Sequence, residues 1–240
     1  MNKKKTLRYL LYVIIGLLLS LFLFYTIWIP TVHTFGPENG QTLFILGSVH
    51  GNEPSGTKAC YHLIDYLKGK QLDKRVIIMP MPNPIGYYLD SRYQLKPFNR
   101  DLNRNFSDGG LDRVSSTILE YVNKSDFIVD LHEGYEYHKR YPKSMGSSII
   151  PNKSELALSV SNNVVSKVNA TIQEEDKKFV VSDFYDKEDC YLPDSLGCYC
   201  NRHKKDYISI ETTGLHENQQ PIHIRVEQHL LLLKGIVEAL

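Results

Sequence analysis

The sequence predicts an α/β domain, a three-layer sandwich around a mixed, largely parallel central sheet, preceded by one N-terminal transmembrane helix. Three observations carry this prediction. Short apolar runs that are typical of buried strands alternate with segments whose apolar residues recur at helical spacing. Such alternation favours parallel strands with helices on both faces of the sheet. The first thirty residues also contain an apolar stretch long enough to cross a bilayer.

The N-terminal stretch is basic at first and then uncharged and apolar over residues 9–29. A helix of that length spans about 30 Å, the thickness of the bilayer core. Its flanking positive charges predict a cytoplasmic N-terminus and an extracytoplasmic domain; they are Lys3, Lys4, Lys5 and Arg8. A cleaved signal peptide is the alternative, but its apolar region is usually only about 7–15 residues long. We therefore expect a signal anchor over residues 1–30 and a separate domain over residues 31–240.

The composition excludes some classes of function. The formal net charge is +1 and charged residues make up 23% of the chain, so no nucleic-acid surface is indicated. Cys60 stands alone in the sequence, whereas Cys190, Cys198 and Cys200 lie close together. Outside the membrane a disulfide within this trio is plausible, and no second cysteine pair completes a zinc site.

The elements follow in order along the chain. A short polar connection is expected over residues 31–41. The predicted strands are residues 42–49, 76–81, 127–131 and 207–210, and the predicted helices are residues 54–70, 111–124, 154–170 and 222–240. Ligands of such sheets bind outside the carboxyl ends of the strands. The candidate functional residues fall at those ends.

The first candidate pair is His50 and Glu53, which directly follow the first predicted strand. An imidazole nitrogen and a carboxylate oxygen three residues apart can bind one zinc ion from a single turn. A surface turn with no ligand is the alternative, because the spacing alone is a weak signal.

A third metal ligand is expected from His132, at the carboxyl end of the strand over residues 127–131. Catalytic zinc usually takes three protein ligands and leaves a fourth position for water. Asp130 points to the same side as His132 and can orient a ligand imidazole. Glu133 is a competing ligand or base, and a histidine with no metal is the alternative for His132.

Two further sets of residues suit substrate chemistry. The loop over residues 100–106 offers Arg100, Asn103 and Arg104 as donors that can bind a carboxylate, although a solvated charged loop has the same composition. Glu211 ends an apolar strand, a poor place for a charge without a role. Near zinc it can accept the proton of a water molecule; a solvated strand end is the alternative.

Taken together, these motifs resemble the zinc carboxypeptidase superfamily, including its succinylglutamate desuccinylase and aspartoacylase branch. The resemblance covers residues 42–240. It is carried by GSVHGNEPSG at residues 47–56, RDLNRNF at 100–106, DLHEG at 130–134 and SIETTG at 209–214. The pieces are common, but their joint order is specific.

The resemblance implies a role for each matching residue. It implies one zinc ion held by His50, Glu53 and His132, with Glu211 as the general base. Asn103 and Arg104 match the pair that holds the substrate carboxylate, and Arg100 lies where a carbonyl-polarising arginine is expected. A substrate-capping tyrosine is also expected, with Tyr185, Tyr191 and Tyr199 as the candidates.

The implied activity is hydrolysis of an amide bond next to a free carboxylate. The expected substrates are peptides, with cell-wall stem peptides as one candidate because the domain should face outward. The alternatives are deacylation of N-acyl amino acids and a catalytically inactive, membrane-tethered binding domain. The expected partners are a peptide or acyl-amino acid and, through the N-terminal helix, the membrane.

Overall fold

The structure is a computed structural model that describes residues 3–27, 30–94, 100–107, 109–182, 192–214 and 220–240. It begins with helix α1 (Lys3–Ile27), whose segment Lys4–Phe22 is apolar enough to cross a membrane and is exposed along its length. By length and composition this helix fits a membrane span or a signal sequence equally well.

The domain is built on a seven-stranded mixed sheet with the order β1-β3-β2-β4-β7-β5-β6. The strands are β1 (His33–Phe35), β2 (Thr42–Leu46), β3 (Arg75–Met79), β4 (Phe127–Gly134), β5 (Ser148–Pro151), β6 (Val180–Val181) and β7 (Asp206–Thr213). The four central strands β3, β2, β4 and β7 are mutually parallel. Strands β1 and β5 run antiparallel to their neighbours β3 and β7. The predicted α/β class with a largely parallel sheet is confirmed.

Helices cover both faces of the sheet. The remaining helices are α2 (Pro54–Leu67), α3 (Pro84–Tyr88), α4 (Arg113–Asn123), α5 (Glu155–Asn169), α6 (Leu196–Arg202) and α7 (Ile222–Ala239). One apolar core lies between the sheet and helices α2, α5 and α7, and a second lies between the sheet and helices α4 and α6. The strands are buried on both faces, which explains their nearly continuous apolar sequences.

Several elements differ from the expectations, and strands β5 and β6 and helices α3 and α6 were not predicted. The connection over residues 31–41 contains strand β1, which adds an antiparallel edge to the sheet. Strands β4 and β7 are longer than predicted, because they pair with each other through Gly134 and Thr213. Cys198 forms a disulfide, whereas Cys60 and Cys200 are buried free thiols.

Candidate active site

A pocket of about 170 Å³ lies at the carboxyl edge of the four parallel strands. Strand β2 leads to His50 and Glu53, strand β4 ends beyond His132, and strand β7 carries Glu211. His132 and Glu211 are direct neighbours in the β4–β7 register. The fold therefore brings together residues that are up to 161 positions apart in the sequence.

The turn after β2 has a tightly constrained backbone. Pro54 occupies the first position of α2, where its missing N–H costs no hydrogen bond, and Glu53 is the N-cap residue. The carboxylate of Glu53 does not cap the helix but points to the histidines. A Cβ atom on Gly51 would lie 1.9 Å from the carbonyl carbon of Gly86, so only glycine fits this close backbone approach.

Three side chains converge around Glu53. His50 Nδ1 lies 2.7 Å from Glu53 Oε1, and His132 Nδ1 lies 3.0 Å from Glu53 Oε2. Their potential ligand atoms all lie within 4.8 Å of one another, and all three residues are buried. Two ligand atoms about 2.1 Å from a tetrahedral ion lie roughly 3.4 Å apart, so this spacing fits a single zinc-type ion.

The far nitrogen of each histidine is held by a carboxylate. His50 Nε2 lies 2.8 Å from Asp101 Oδ1, and His132 Nε2 lies 3.0 Å from Asp130 Oδ2. When each Nε2 donates its proton to its aspartate, the lone pair of each Nδ1 faces the Glu53 carboxylate. With the two histidines in this tautomer, the three acceptors suit a cation placed between them. One cation shared by the three residues is the arrangement of a metal site with supporting carboxylates.

The electrostatics of the cluster also favour positive charge at this place. Burial alone would lower the pKa of His132, but Asp130 and Glu53 outweigh it and raise that pKa well above 6.5. Burial would raise the pKa of Glu53, but the charge of His50 and hydrogen bonds with both histidines lower it instead. The Glu53 carboxylate is thus ionised and the cluster attracts a cation.

The loop between residues 100 and 107 contributes Asn103 and Arg104 to the pocket wall. They lie in a short 3₁₀ turn, Leu102–Arg104, in which Asp101 accepts a hydrogen bond from the backbone N–H of Asn103. The Asn103 side-chain oxygen accepts from the Leu196 backbone N–H at 2.9 Å, so its amide nitrogen remains on the pocket side, 3.4 Å from His132 Nε2. Asp101 thereby links this loop to His50.

The structure does not bring Arg100 to this pocket. Arg100 is exposed and is absent from the pocket wall, which contains Arg92 instead. Arg92 donates to Glu53 Oε1 at 3.1 Å and, through two nitrogens, to Asp101 Oδ2 at 3.1 and 2.9 Å. Arg92 precedes the RDLNRNF motif by several residues and belongs to none of the motifs read from the sequence, so no spacing signal identified it.

Glu211 and Glu133 differ in their surroundings. Burial raises the pKa of Glu211 to about 8, with the negative charges of Glu53 and Asp130 adding to the effect. Glu133 accepts from the Ser55 backbone N–H at the start of α2 and pairs with the buried Arg225. Both of its oxygens are therefore engaged in holding helices α2 and α7 to strand β4, which leaves Glu211 as the available carboxylate.

Of the tyrosine candidates only Tyr199 lies within the described residues, and it does not line the pocket. Tyr199 is buried and its hydroxyl donates to Asn123 at 3.0 Å, and Tyr185 and Tyr191 lie outside the described residues. Tyr135 lines the pocket and was not singled out in the sequence. The rest of the wall includes three apolar residues and one hydroxyl, namely Met145, Ile150, Leu192 and Ser209.

The fold and this cluster define an α/β protein with a His-Glu-His site that is able to hold a metal. Residues 39–156 match the family model of the succinylglutamate desuccinylase/aspartoacylase catalytic domain. The resemblance to the succinylglutamate desuccinylase and aspartoacylase branch is thereby confirmed over these residues.

Individual proteins are similar to the chain over different lengths. N-alpha-acetyl-L-2,4-diaminobutyric acid deacetylase of Halomonas elongata is 32% identical over 101 residues, which cover 40% of this chain and 29% of that protein. The product-bound Cell Shape Determinant protein Csd4 of Helicobacter pylori superimposes with a TM-score of 0.71 at 21% identity, covering 87% of this chain and 54% of Csd4.

An aspartoacylase family protein of Mesorhizobium loti superimposes with a TM-score of 0.57 at 22% identity, covering 85% of this chain and 61% of that protein. The chain thus spans less than a third of the curated relative and about half of Csd4.

Proposed function

We propose that the protein is a membrane-anchored, metal-dependent hydrolase that cleaves an amide bond next to a free carboxylate. The observation that carries this proposal is the convergence, in one pocket, of the His50-Glu53-His132 cluster, Glu211, and the Asn103-Arg104 pair. A metal site, a carboxyl group with a raised pKa and donors for a carboxylate are the parts that metal-assisted amide hydrolysis needs.

His50, Glu53 and His132 would hold the ion, with Asp101 and Asp130 fixing the orientation of the two imidazoles. We propose zinc, because two imidazole nitrogens and one carboxylate form the ligand set of a catalytic zinc site. The chemistry that a bound zinc ion would supply is Lewis acidity and a water molecule with a pKa of about 7.

The protein's own groups carry the remaining steps. Glu211 accepts the proton of the attacking water and then delivers it to the nitrogen of the leaving amine. Arg92 replaces Arg100 in the proposal as the group that stabilises the developing oxyanion, because Arg92 lines the pocket. Asn103 and Arg104 bind the free carboxylate beside the bond that is cleaved, which restricts cleavage to chain ends or acylated amino acids.

Peptides are the substrates that we favour, and cell-wall stem peptides among them. Csd4 superimposes on most of this chain. It is described as a D,L-carboxypeptidase and has been observed in mDAP-bound and tripeptide-bound forms. An extracytoplasmic domain would meet such peptides. The proposed orientation is supported by the basic residues in the first turns of α1, which favour a cytoplasmic N-terminus.

Deacylation of an N-acyl amino acid is the second candidate. It is supported by the family model over residues 39–156 and by the 32% identity to a deacetylase. Both reactions would use Glu211 as the base and the Asn103-Arg104 pair to bind the substrate carboxylate. A binding domain without activity is disfavoured because Glu211, which metal binding alone does not need, has its pKa raised to about 8 within the pocket.

The test is a substrate panel for the full chain in detergent micelles. The purified protein is incubated with wall-type stem peptides, unrelated peptides and N-acyl amino acids, and the products are identified by mass spectrometry. Loss of C-terminal residues supports the peptidase, and release of acyl groups alone assigns the deacylase. Metal binding without any turnover would leave the binding domain as the function.

A further inference from the structure

The chain enters the domain at the same edge of the sheet as the pocket. Strand β1 runs antiparallel to β3, with His33 paired to Ile78. Ile78 lies one residue before the carboxyl end of β3. The residues before His33 therefore approach the sheet from the carboxyl edge of the parallel strands, where His132 and Glu211 also lie.

The connection between helix α1 and this edge is short. Helix α1 ends at Ile27, and Pro30 is a buried residue of the domain. Three peptide steps separate these residues, and consecutive Cα atoms are 3.8 Å apart, so the Cα atoms of Ile27 and Pro30 lie at most about 11 Å apart. If α1 crosses a bilayer, the carboxyl edge of the sheet is the part of the domain that the tether holds next to it.

That edge carries four exposed tyrosines and an exposed leucine. We define the rim cluster as Tyr88, Leu89, Tyr93, Tyr135 and Tyr141, whose exposed fractions are 77%, 64%, 43%, 59% and 54%. These residues lie in the two segments that leave the carboxyl ends of β3 and β4. Tyrosine is favoured at membrane interfaces because its ring is apolar and its hydroxyl can bond to water and headgroups.

The opposite edge of the sheet has a different surface. Lys70 and Lys234 place their ammonium groups 4.0 and 4.1 Å from the ring centroid of Tyr66. These residues lie near the carboxyl ends of helices α2 and α7, which run back from the pocket edge. Strand β4 alone separates the two edges by about 23 Å, because the seven steps between its first and last residues rise about 3.3 Å each.

From the short tether and the rim cluster, we propose that the rim cluster rests on the surface of the bilayer that α1 crosses, so that the pocket opens onto the membrane surface. This inference rests on the membrane anchoring in the proposed function, but not on catalysis. It narrows the substrate class to amides with a free carboxylate that are held at, or diffuse along, the membrane surface.

The experiment measures contact between the rim and lipid. The full chain is reconstituted into phosphatidylcholine vesicles that contain a lipid with a nitroxide near its headgroup. An environment-sensitive fluorophore is attached at Tyr88→Cys or, as the matched control on the opposite edge, at Leu156→Cys; both positions are exposed. Trp28, the single tryptophan of the chain, reports in the same sample whether the anchor is in the bilayer.

We expect the nitroxide lipid to quench the label at position 88 several-fold more than the label at position 156. Replacing two other rim residues, in a Leu89→Gln/Tyr141→Gln variant, should reduce the quenching at position 88 and leave the quenching of Trp28 unchanged. Equal quenching at positions 88 and 156, or quenching at 88 that the double substitution does not alter, overturns the docking of the rim. Absence of quenching of Trp28 overturns the anchoring itself, and none of these readouts depends on activity.

Discussion

Asp130 provides the sharpest test of how the proposed metal site is held. Its side chain is fully buried, and Oδ2 accepts hydrogen bonds from His132 Nε2 at 3.0 Å and from the Tyr207 hydroxyl at 3.1 Å. The substitution Asp130→Asn keeps the shape of the side chain and removes its charge. The neutral amide oxygen holds the imidazole less firmly and makes Nδ1 a weaker ligand.

The expected loss of zinc affinity follows from the role of carboxylates that support a ligand histidine. Loss of a carboxylate behind a ligand histidine typically weakens metal binding by about 10–100-fold, or roughly 1.4–2.7 kcal/mol. No water competes for the contact of Asp130 with His132, because both side chains are buried, so we expect the upper half of that range. Tyr207→Phe leaves the Asp130 carboxylate in place and should lower the zinc affinity less than Asp130→Asn does.

The assay is a competition titration of zinc between the protein and a fluorescent chelator, with circular dichroism to verify folding. Asp65→Asn is the matched control, because Asp65 is an exposed carboxylate of α2 that pairs with the exposed Lys68, away from the pocket. Equal zinc affinities for folded Asp130→Asn and Asp65→Asn would refute the assignment of Asp130 as the support of a ligand.

Three further predictions concern catalysis and folding. Glu211→Gln should reduce kcat by about 10²–10⁴-fold while zinc content, measured by atomic emission, stays unchanged. The ionised carboxylate of Glu211 is the active form, and a bound cation lowers its pKa from about 8. The kcat/KM of the wild-type protein should therefore rise with pH below pH 8, and this rise should be absent in Glu211→Gln. Arg92→Gln should lower kcat/KM by about 10²–10³-fold, whereas the exposed control Arg100→Gln keeps wild-type kinetics; the opposite result would restore Arg100 to the proposed role. Gly51→Ala should lower the melting temperature measured by circular dichroism, because its Cβ has no space beside Gly86, and an unchanged melting temperature would contradict this.

The central part of the fold could be predicted from the sequence because its signals are local. Four strands and four helices were predicted close to their observed positions, since buried parallel strands are continuous apolar runs. The edge strands β1 and β6, and strand β5 beside β6, have only two to four residues and show no comparable pattern. Strands β4 and β7 extend past Leu131 and Ile210 because their polar ends face the pocket and each other rather than the core.

The candidate site was predicted only where its residues stand in short motifs. His50, Glu53, His132 and Glu211 follow apolar strands and could be identified from that position. The contact of Asp101 with His50 joins residues 51 positions apart, and Arg92 reaches Asp101 and Glu53 from a loop with no recognisable spacing. Such contacts depend on how the loops fold over the carboxyl edge, which a local pattern does not record.

The most direct test of the proposed chemistry compares two substrates that differ at one group. The full chain is incubated with a peptide that has a free C-terminal carboxylate and with the same peptide amidated, each with and without a metal chelator, and the products are read by mass spectrometry. The account predicts release of the C-terminal residue from the free acid only, abolished by the chelator and restored by zinc. Equal cleavage of the amidated peptide, or cleavage that the chelator does not affect, would contradict it.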